Sequence, residues 1–599
     1  MSQIAGLQDF AKQGPPADIG TFLLPCEALS FQFTFSGTTY ICSLRSGSRG
    51  WVLIDFGTVA STVLNAAGAY INTLGGGTHH ICAFTTYYDL TAVILVYDDM
   101  VLEGSGWNTI LRIANAANVY AIRNADWVAG NTNFIIRDLQ IDGNGANQTL
   151  SSTIGIDIRY SSHFKVSTCY VHHTYYDGMG CWFASHDAVF ENNVIHDTYN
   201  QSGIYIECEV AATASTYNII VQGNIVYNSD FNGIRIDGQS GFEILRVTVV
   251  GNICFSNGDP TGCGIYVSHT FGGTLSGNIC YNNILHGILV QETSKDVALT
   301  GNVCGYNTRN GIWIGTSSIG ITVAANVCYY NSQNGIYLAT SNNIIVGNVC
   351  RHNGVVGTYY GIWLENASRN IISLNQCLDD EATTTQNGGM ALLGTSSDNV
   401  ITQNWLYNNG GYGINIAAAT CLANVVKDNR YSGNTSGLLN DGGTGTILAV
   451  VHLSFVDGTE SITADGAPKG WRIDAATEFA VAYGVMPPEC QRSVRMKVWA
   501  VGLAAPGAGN EMLLNFVANA GQPDEAYSAE AISVAGKANN ETAFAINDVV
   551  SWTITSADDA DVDDLLAGDC IEVKVIYNAA VAPDIATNAL LRCVEIQYV

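Results

Sequence analysis

Aliphatic side chains recur along this chain as pairs separated by one residue, and each pair is opened by a glycine. The copies are Gly203-Ile204, Gly233-Ile234, Gly264-Ile265, Gly287-Ile288, Gly311-Ile312, Gly335-Ile336, Gly361-Ile362 and Gly413-Ile414. Period-two alternation predicts short strands in which both aliphatics point inward and the residue between them points outward. A second phrase, Gly-Asn followed by an aliphatic and then Cys or Tyr, alternates with the first. Its copies are Gly223-Asn224, Gly251-Asn252, Gly277-Asn278, Gly301-Asn302, Ala325-Asn326, Gly347-Asn348, Leu374-Asn375 and Gln403-Asn404. Steps of 22 to 29 residues between these asparagines are a structural period and not a domain duplication. A coil of that length cannot bury its own apolar face, so coils must stack into a rod. The asparagine column falls at a tight bend, where stacked carboxamides can hydrogen-bond from coil to coil.

Outside the repeat the pattern changes. Residues 1–55 carry no repeat and read as an adaptor with a few strands, Leu29 to Phe35 and Trp51 to Phe56 among them. Thr58 to Gly77 has apolar residues at helical spacing and ends in three glycines, which predicts a helix with a glycine stop that caps the rod's open end. HHICAFTTYYDL, AVILVYDDMVLEGSGWNTILRI and NFIIRDLQIDGNG then read as the first coils. After Asn429 the repeat fades into GNTSGLLNDGGTGT, a boundary. The longer apolar runs SVRMKVWAVGL, EMLLNFVANAG, VVSWTITSA, CIEVKVIYNA and LLRCVEIQYV suggest a β-sandwich over 446–599.

The order helix, Gly-Gly-Gly, strand, LEGSGWNTIL, then IRDLQIDGNG resembles the entry to the pectate-lyase-like superfamily of right-handed parallel β-helices. The resemblance covers about residues 56 to 435, and it speaks for the fold rather than for a reaction. It implies an all-β chain with a right-handed parallel β-helix over 56–440 and a C-terminal antiparallel, jelly-roll-like β-sandwich. Polysaccharide lyases, glycoside hydrolases, epimerases and bacteriophage tailspikes share such segments.

With 63 glycines and 13% charged residues the composition suits a turn-dense β protein. A balance of 52 acidic against 24 basic residues, net −28, repels a polyphosphate backbone and disfavours nucleic acid as a partner. The N-terminal MSQIAGLQDFAKQGPP lacks the charged start and apolar run of a secretory signal, and no stretch approaches the roughly 20 apolar residues of a membrane helix. The expectation is no membrane insertion and a rod released by lysis, as from a virus particle. Of 17 cysteines, Cys254, Cys280, Cys304, Cys328, Cys350 and Cys377 occupy one slot of successive repeats and should stack as free, buried thiols.

Candidate chemistry sits at the outward positions. The residues between the paired aliphatics are Tyr205, Arg235, Tyr266, Leu289, Trp313, Tyr337, Trp363 and Asn415. Flat rings there offer stacking faces for sugars, or packing surface for a sister chain. Two residues further on come Trp182, Glu207, Asp237, Gln291 and Glu365. Glu207 and Asp237 fall on adjacent coils, which could bring two carboxylates to glycosidase spacing. Their repulsion would raise one pKa and set an acid beside a base. Arg235, Trp182, Tyr205, Glu209 and Asp230 would support them; an ordinary solvated acidic edge is the alternative. A second cluster, His172, His173, Tyr175, Tyr176, Asp177, His186, His196 and Asp197, could move protons in a lyase or epimerase. Neither a metal nor a cofactor is expected, since these histidines lack a zinc-type spacing such as His-Glu-x-x-His. Asp379-Asp380 matches one element of the polygalacturonase signature without its companions.

The reading is a tailspike-like virion protein, a homotrimer attached to other virion proteins through its N-terminal segment. It binds a host cell-surface polysaccharide and could hydrolyse it. Glu207 and Asp237 would be catalytic, with Trp182, Tyr205, Arg235, Tyr266, Trp313, Tyr337 and Trp363 holding the sugar chain. A cellular lyase or epimerase and a non-catalytic fibre subunit are the alternatives.

Overall fold

The computed structural model describes residue 55 and residues 57–447 in full, apart from short stretches at 85, 150–152, 210–213, 259–260 and 382–383. Beyond these it describes strand backbones only, from Leu29 to Tyr598. Each coil gives one short strand to each of three parallel sheets. Two of the sheets have 14 strands apiece, so the chain winds through about 14 turns. One, here the cysteine sheet, runs from Tyr88–Leu90 to Arg430–Ser432. Another, the glycine-isoleucine sheet, runs from Ile94–Val96 to Gly437–Asp441. The third takes Gly77–Ile81, Met100–Gly104 and onward to Val425–Lys427.

Register is kept from coil to coil. Cys254, Cys280, Cys304, Cys328, Cys350 and Cys377 lie directly over one another, all fully buried and all free thiols. The in-facing isoleucines of the glycine-isoleucine sheet form a second buried column, Ile234, Ile265, Ile288, Ile312 and Ile336 among them.

The asparagine column is a continuous buried ladder. Asn224 Nδ2 donates to Asn252 Oδ1 at 3.0 Å, and the pattern passes through Asn278, Asn302, Asn326, Asn348, Asn375 and Asn404 to Asn429. Each Nδ2 in this run also donates to a backbone carbonyl one coil away, as Asn302 does to Leu275 at 2.9 Å. Two further ladders run beside it. Asn257, Asn283, Asn307, Asn331 and Asn353 form one, and Asn343, Asn370, Asn399 and Asn424 the other. The residue before each asparagine of the first ladder sits at positive φ, near 61–65° at Gly223, Gly251, Gly277, Gly301 and Gly347. That is why glycine dominates the slot, although Ala325, Leu374 and Gln403 hold φ of 54–57° there.

The predicted helix spans Ala60–Thr73 and buries Ala60, Val63, Leu64, Ala67 and Ile71 against the first coils, closing that end of the core. Its glycine stop is literal. Gly76 has φ of 109°, and a Cβ there would come within 2.4 Å of the Asp99 carbonyl oxygen.

Ahead of the helix, Leu29–Ser36, Thr39–Ser46 and Trp51–Gly57 pair antiparallel, and the first also runs parallel to Gly77–Ile81. Residues 1–28 of the expected adaptor lie outside the described residues. At the other end Ile447–Gly458 pairs parallel with Val425–Lys427 and then antiparallel with Ala589–Tyr598, which also pairs with Ser493–Gly502. The side-chain core that a β-sandwich over 446–599 requires lies outside the described residues.

Candidate functional site

Ile204–Glu207 and Ile234–Asp237 are neighbouring parallel strands of the glycine-isoleucine sheet, with Tyr205 over Arg235 and Glu207 over Asp237. Because Ile204, Ile206, Ile234 and Ile236 are fixed in the core, the alternating residues are forced onto one outer face. There the Tyr205 hydroxyl donates to Glu207 Oε1 at 2.7 Å and stands 3.4 Å from Asp237 Oδ2. Sharing one hydroxyl keeps the nearest oxygens of the two carboxylates within about 6 Å of each other. Asp237 is clamped further: the Arg235 guanidinium donates to Oδ2 and the Ser268 hydroxyl to Oδ1. Arg235 in turn lies over the Tyr205 ring, 4.6 Å from its centroid.

Glu207, Tyr205 and Arg235 line a cleft of about 310 Å³ together with Trp182, Tyr176, Asp177 and Arg159, and Asp237 stands beside it, held by Arg235 and near the Tyr205 hydroxyl. Burial pushes the Glu207 carboxyl up to about 7; the Tyr205 hydrogen bond pulls against this, and the charges of Glu209 and Asp237 add to it. Asp177, fully buried at the floor, is pushed up to about 8 by burial, against the Ser202 N–H that donates to Oδ1 at 3.1 Å. Its other oxygen has no hydrogen-bond partner. Burial also raises Asp157, although Arg159 Nε reaches both of its oxygens at 3.0 Å. Burial drives the Tyr205 hydroxyl well above its usual range, so it is a hydrogen-bond donor here and not a base.

The anticipated outward column exists. Tyr205, Arg235, Tyr266, Leu289, Trp313, Tyr337 and Trp363 lie in unbroken register, and Ala391 intervenes before Asn415. It is not a uniformly exposed strip, however. Trp182 and Tyr205 are 5% and 7% exposed and pack on Ile154, so Tyr205 presents its hydroxyl more than its face. Tyr266 accepts from Gln291 Nε2 at 3.0 Å. After Leu289, which is buried, Trp313 stacks on Tyr337 at 5.7 Å between centroids, and Tyr337 meets Trp363 edge to face at 6.4 Å. These three rings are half-buried.

Other expectations divide. The histidine cluster splits three ways. His172, His173, His196 and Asp197 gather on the cysteine sheet, while His186 pairs with Asp187 and Tyr176 and Asp177 turn to the cleft. Asp230 lines a separate trough beside His173 and Asp197 and does not line the cleft. Asp379 is a loop anchor that accepts the Thr385 and Gln386 N–H groups, and Asp380 pairs with His352. Asp177 is the site residue that sequence reasoning assigned elsewhere. A signal was present: it occupies the slot before Gly-Met that Ser202, Asn232, Asn310 and Asn334 occupy before Gly-Ile, and an acid there stands out. As for metals, Asp142, His172 and His173 place three ligand atoms within 4.8 Å of one another.

Comparison with known proteins bears on the fold. The sequence matches the right handed beta helix region family over residues 98–249 and 287–450, just over half of the chain. A shorter match, residues 205–350, is to the periplasmic copper-binding protein NosD family. No curated protein matches the sequence. Among solved structures, the mannuronan C-5 epimerase AlgE4 A-module of Azotobacter vinelandii is 16% identical, covering 65% of this chain and 95% of that one, with a TM-score of 0.40. The tailspike protein of E. coli bacteriophage HK620, in complex with pentasaccharide, is 12% identical, covering 90% of each chain at a TM-score of 0.47. PfbA, a surface adhesin of Streptococcus pneumoniae, is 12% identical, covering 71% and 92% at 0.35. With the coils in register and the family matched over most of the solenoid, this chain belongs to the right-handed β-helix region family.

Proposed function

We propose that the glycine-isoleucine face binds a cell-surface polysaccharide and that the cleft hydrolyses it, with Glu207 as general acid and Asp237 as its partner carboxylate. One observation carries the reading: a single tyrosine hydroxyl joins a carboxyl raised to about 7 and a carboxylate ion-paired with Arg235. The first holds a proton near neutrality and the second faces a guanidinium, an arrangement that suits the acid and the partner carboxylate of glycoside hydrolysis. Glu207 protonates the glycosidic oxygen as the bond to the leaving sugar breaks. A spacing of at most about 6 Å favours direct attack by Asp237 on the sugar carbon, giving a glycosyl ester. Water then cleaves the ester while Glu207, now ionised, takes the water's proton. Arg235, Ser268 and Tyr205 position Asp237. The high pKa of the Tyr205 phenol weighs against an elimination that would use it as base.

Tyr266, Trp313, Tyr337 and Trp363 extend the track. Five coils separate the rung of Arg235 from that of Trp363, about 24 Å at the usual strand spacing. Several ring contacts of about 1 kcal/mol each would sum along one polymer. In this reading the rod is a trimeric, tailspike-like virion protein. Residues 1–55 attach it, 56–440 carry the solenoid, and the strands after 446 fold into a sandwich.

The test is release of reducing ends from a panel of bacterial surface polysaccharides. The wild type should release them with retention of anomeric configuration, and Glu207→Gln should lose at least about 100-fold in rate. Unchanged release by that variant removes the assignment. An unsaturated product would replace hydrolysis with elimination.

A further inference from the structure

The strand Tyr170–His172 of the cysteine sheet lies between Gln140–Asp142 and Val194–Thr198, so Asp142, His172 and His196 stack in one outward column. His173 follows at a φ of 50°. That turn brings its ring against His172, with the two Nδ1 atoms 2.6 Å apart. Asp142 Oδ1 stands 4.0 Å from His172 Nδ1. Two donors bound tetrahedrally to one zinc-like ion at about 2.0–2.1 Å are roughly 3.3 Å apart. The two distances straddle that value, so small side-chain rotations place all three atoms around one point.

The outer nitrogens are backed as metal-bound imidazoles usually are. His173 Nε2 faces Asp197 Oδ2 at 3.7 Å. His172 Nε2 meets the side-chain amide of Gln140 at 2.7 Å, and that amide presents its oxygen when turned over. His196 is committed elsewhere, Nδ1 to Asp197 at 2.7 Å and Nε2 to the Tyr170 hydroxyl at 2.8 Å. Its ring walls the group by stacking on His172 at 5.4 Å.

We propose that Asp142, His172 and His173 hold one divalent transition-metal ion, zinc by the fit of two imidazoles and a carboxylate. His173 also lines a trough of about 600 Å³ with Asp197, Asn228 and Asp230. The ion replaces the one proton that the two Nδ1 atoms share, and that proton passes to solvent. All three ligands precede residue 205, outside the stretch that matches the copper-binding family. Asp142 and His172 also lie on a different sheet from Glu207, and His173 follows His172 directly, so the metal site and the hydrolytic cleft can fail separately.

The full chain, stripped with chelator, is titrated with zinc chloride by calorimetry and with cobalt(II) by visible absorption. One equivalent should bind with micromolar or tighter affinity, and cobalt should show the absorption of a low-coordinate nitrogen and oxygen site. His173→Ala should weaken binding at least about 100-fold, and Asp197→Asn, which removes the carboxylate that faces His173 and leaves all three ligands in place, about 10-fold. His186→Ala, a histidine of the third sheet paired with Asp187, should leave affinity unchanged. Should His173→Ala fail to fold, Asp142→Asn reads the same loss. The proposal is overturned by no saturable binding at about 100 µM zinc, by wild-type affinity in both His173→Ala and Asp142→Asn, or by a loss in His186→Ala as large as in His173→Ala.

Discussion

Two stretches of the solenoid obey the same winding rule and carry different cargo. From Asn252 to Asn348 the coils repeat at 22 to 26 residues with the Asn and Cys columns intact. Their outward column on the glycine-isoleucine face is Tyr266, Leu289, Trp313 and Tyr337, with no charge. Before residue 240 the inward columns are more varied: Val171, Ile195 and Val226 stand where cysteines come later. Here the outward positions hold Arg123, Asp157, Arg159, Glu207, Arg235 and Asp237 on one sheet and Asp142, His172 and His196 on another. The regular coils are scaffold, since their buried asparagines are answered by copies one rung away. Departures from the repeat bring buried carboxyls such as Asp157, Asp177 and Glu207 together, and burial raises all three.

Breaking the chemical half should give the largest effect. Glu207→Gln is expected to lower the hydrolytic rate by about 100- to 10,000-fold, whereas Glu365→Gln, in the later coils, should change it less than about twofold in the same assay. Wild-type rate should also fall as pH rises past about 7, where Glu207 gives up its proton.

Breaking the scaffold half comes next. Asn302→Ala removes hydrogen bonds to Asn326 and Leu275 and strands the Asn278 donors that its oxygen accepts. Leaving those partners buried without a bond should cost about 2–4 kcal/mol, read as a lower denaturation midpoint and faster amide exchange in flanking coils.

The Asp177 floor sharpens the contrast through pH. Its folded pKa is raised from 3.8 to about 8, so the fold prefers the neutral acid. That stabilisation is complete below about pH 4 and is lost as pH climbs through about 8. Asp177→Asn should flatten the dependence, giving a melting temperature at pH 9 above that of the wild type.

The smallest effect tests the bend. Gly301 has φ of 64° and open space where a Cβ would sit, so Gly301→Ala should cost about 1 kcal/mol of backbone strain alone. Ala325→Gly, in the same slot one coil on at φ of 54°, should return up to about the same amount, measured by denaturation midpoints.

How far the sequence could be read follows from the same division. Cys280 over Cys304 and Ile288 over Ile312 were legible because period-two alternation and a conserved step leave one way to superpose the coils. Glu207 over Asp237 followed from the same rule. Asp230 and Asp177 did not, because both sit in turns between sheets, where one residue more or less decides which face a side chain joins. The ring stack His196, Tyr227, Phe255 and Tyr281 on the cysteine sheet, with centroids 4.7 to 5.0 Å apart, also went unread. Its members follow the inward Ile195, Val226, Cys254 and Cys280, so the alternation that aligns the cysteines also carries this stack.

By itself, then, the sequence determined the coil: which residues face in, which asparagines of the Gly-Asn phrase align, and where the chain bends. Those are local matters, settled by alternation and by the cost of a Cβ at positive φ. Only the tertiary structure decided which outward groups share a cleft, how deeply Trp182 and Tyr205 are covered, and which acids keep a proton. Those depend on how turns of unequal length carry each coil from sheet to sheet, and on the water that the neighbouring coils exclude.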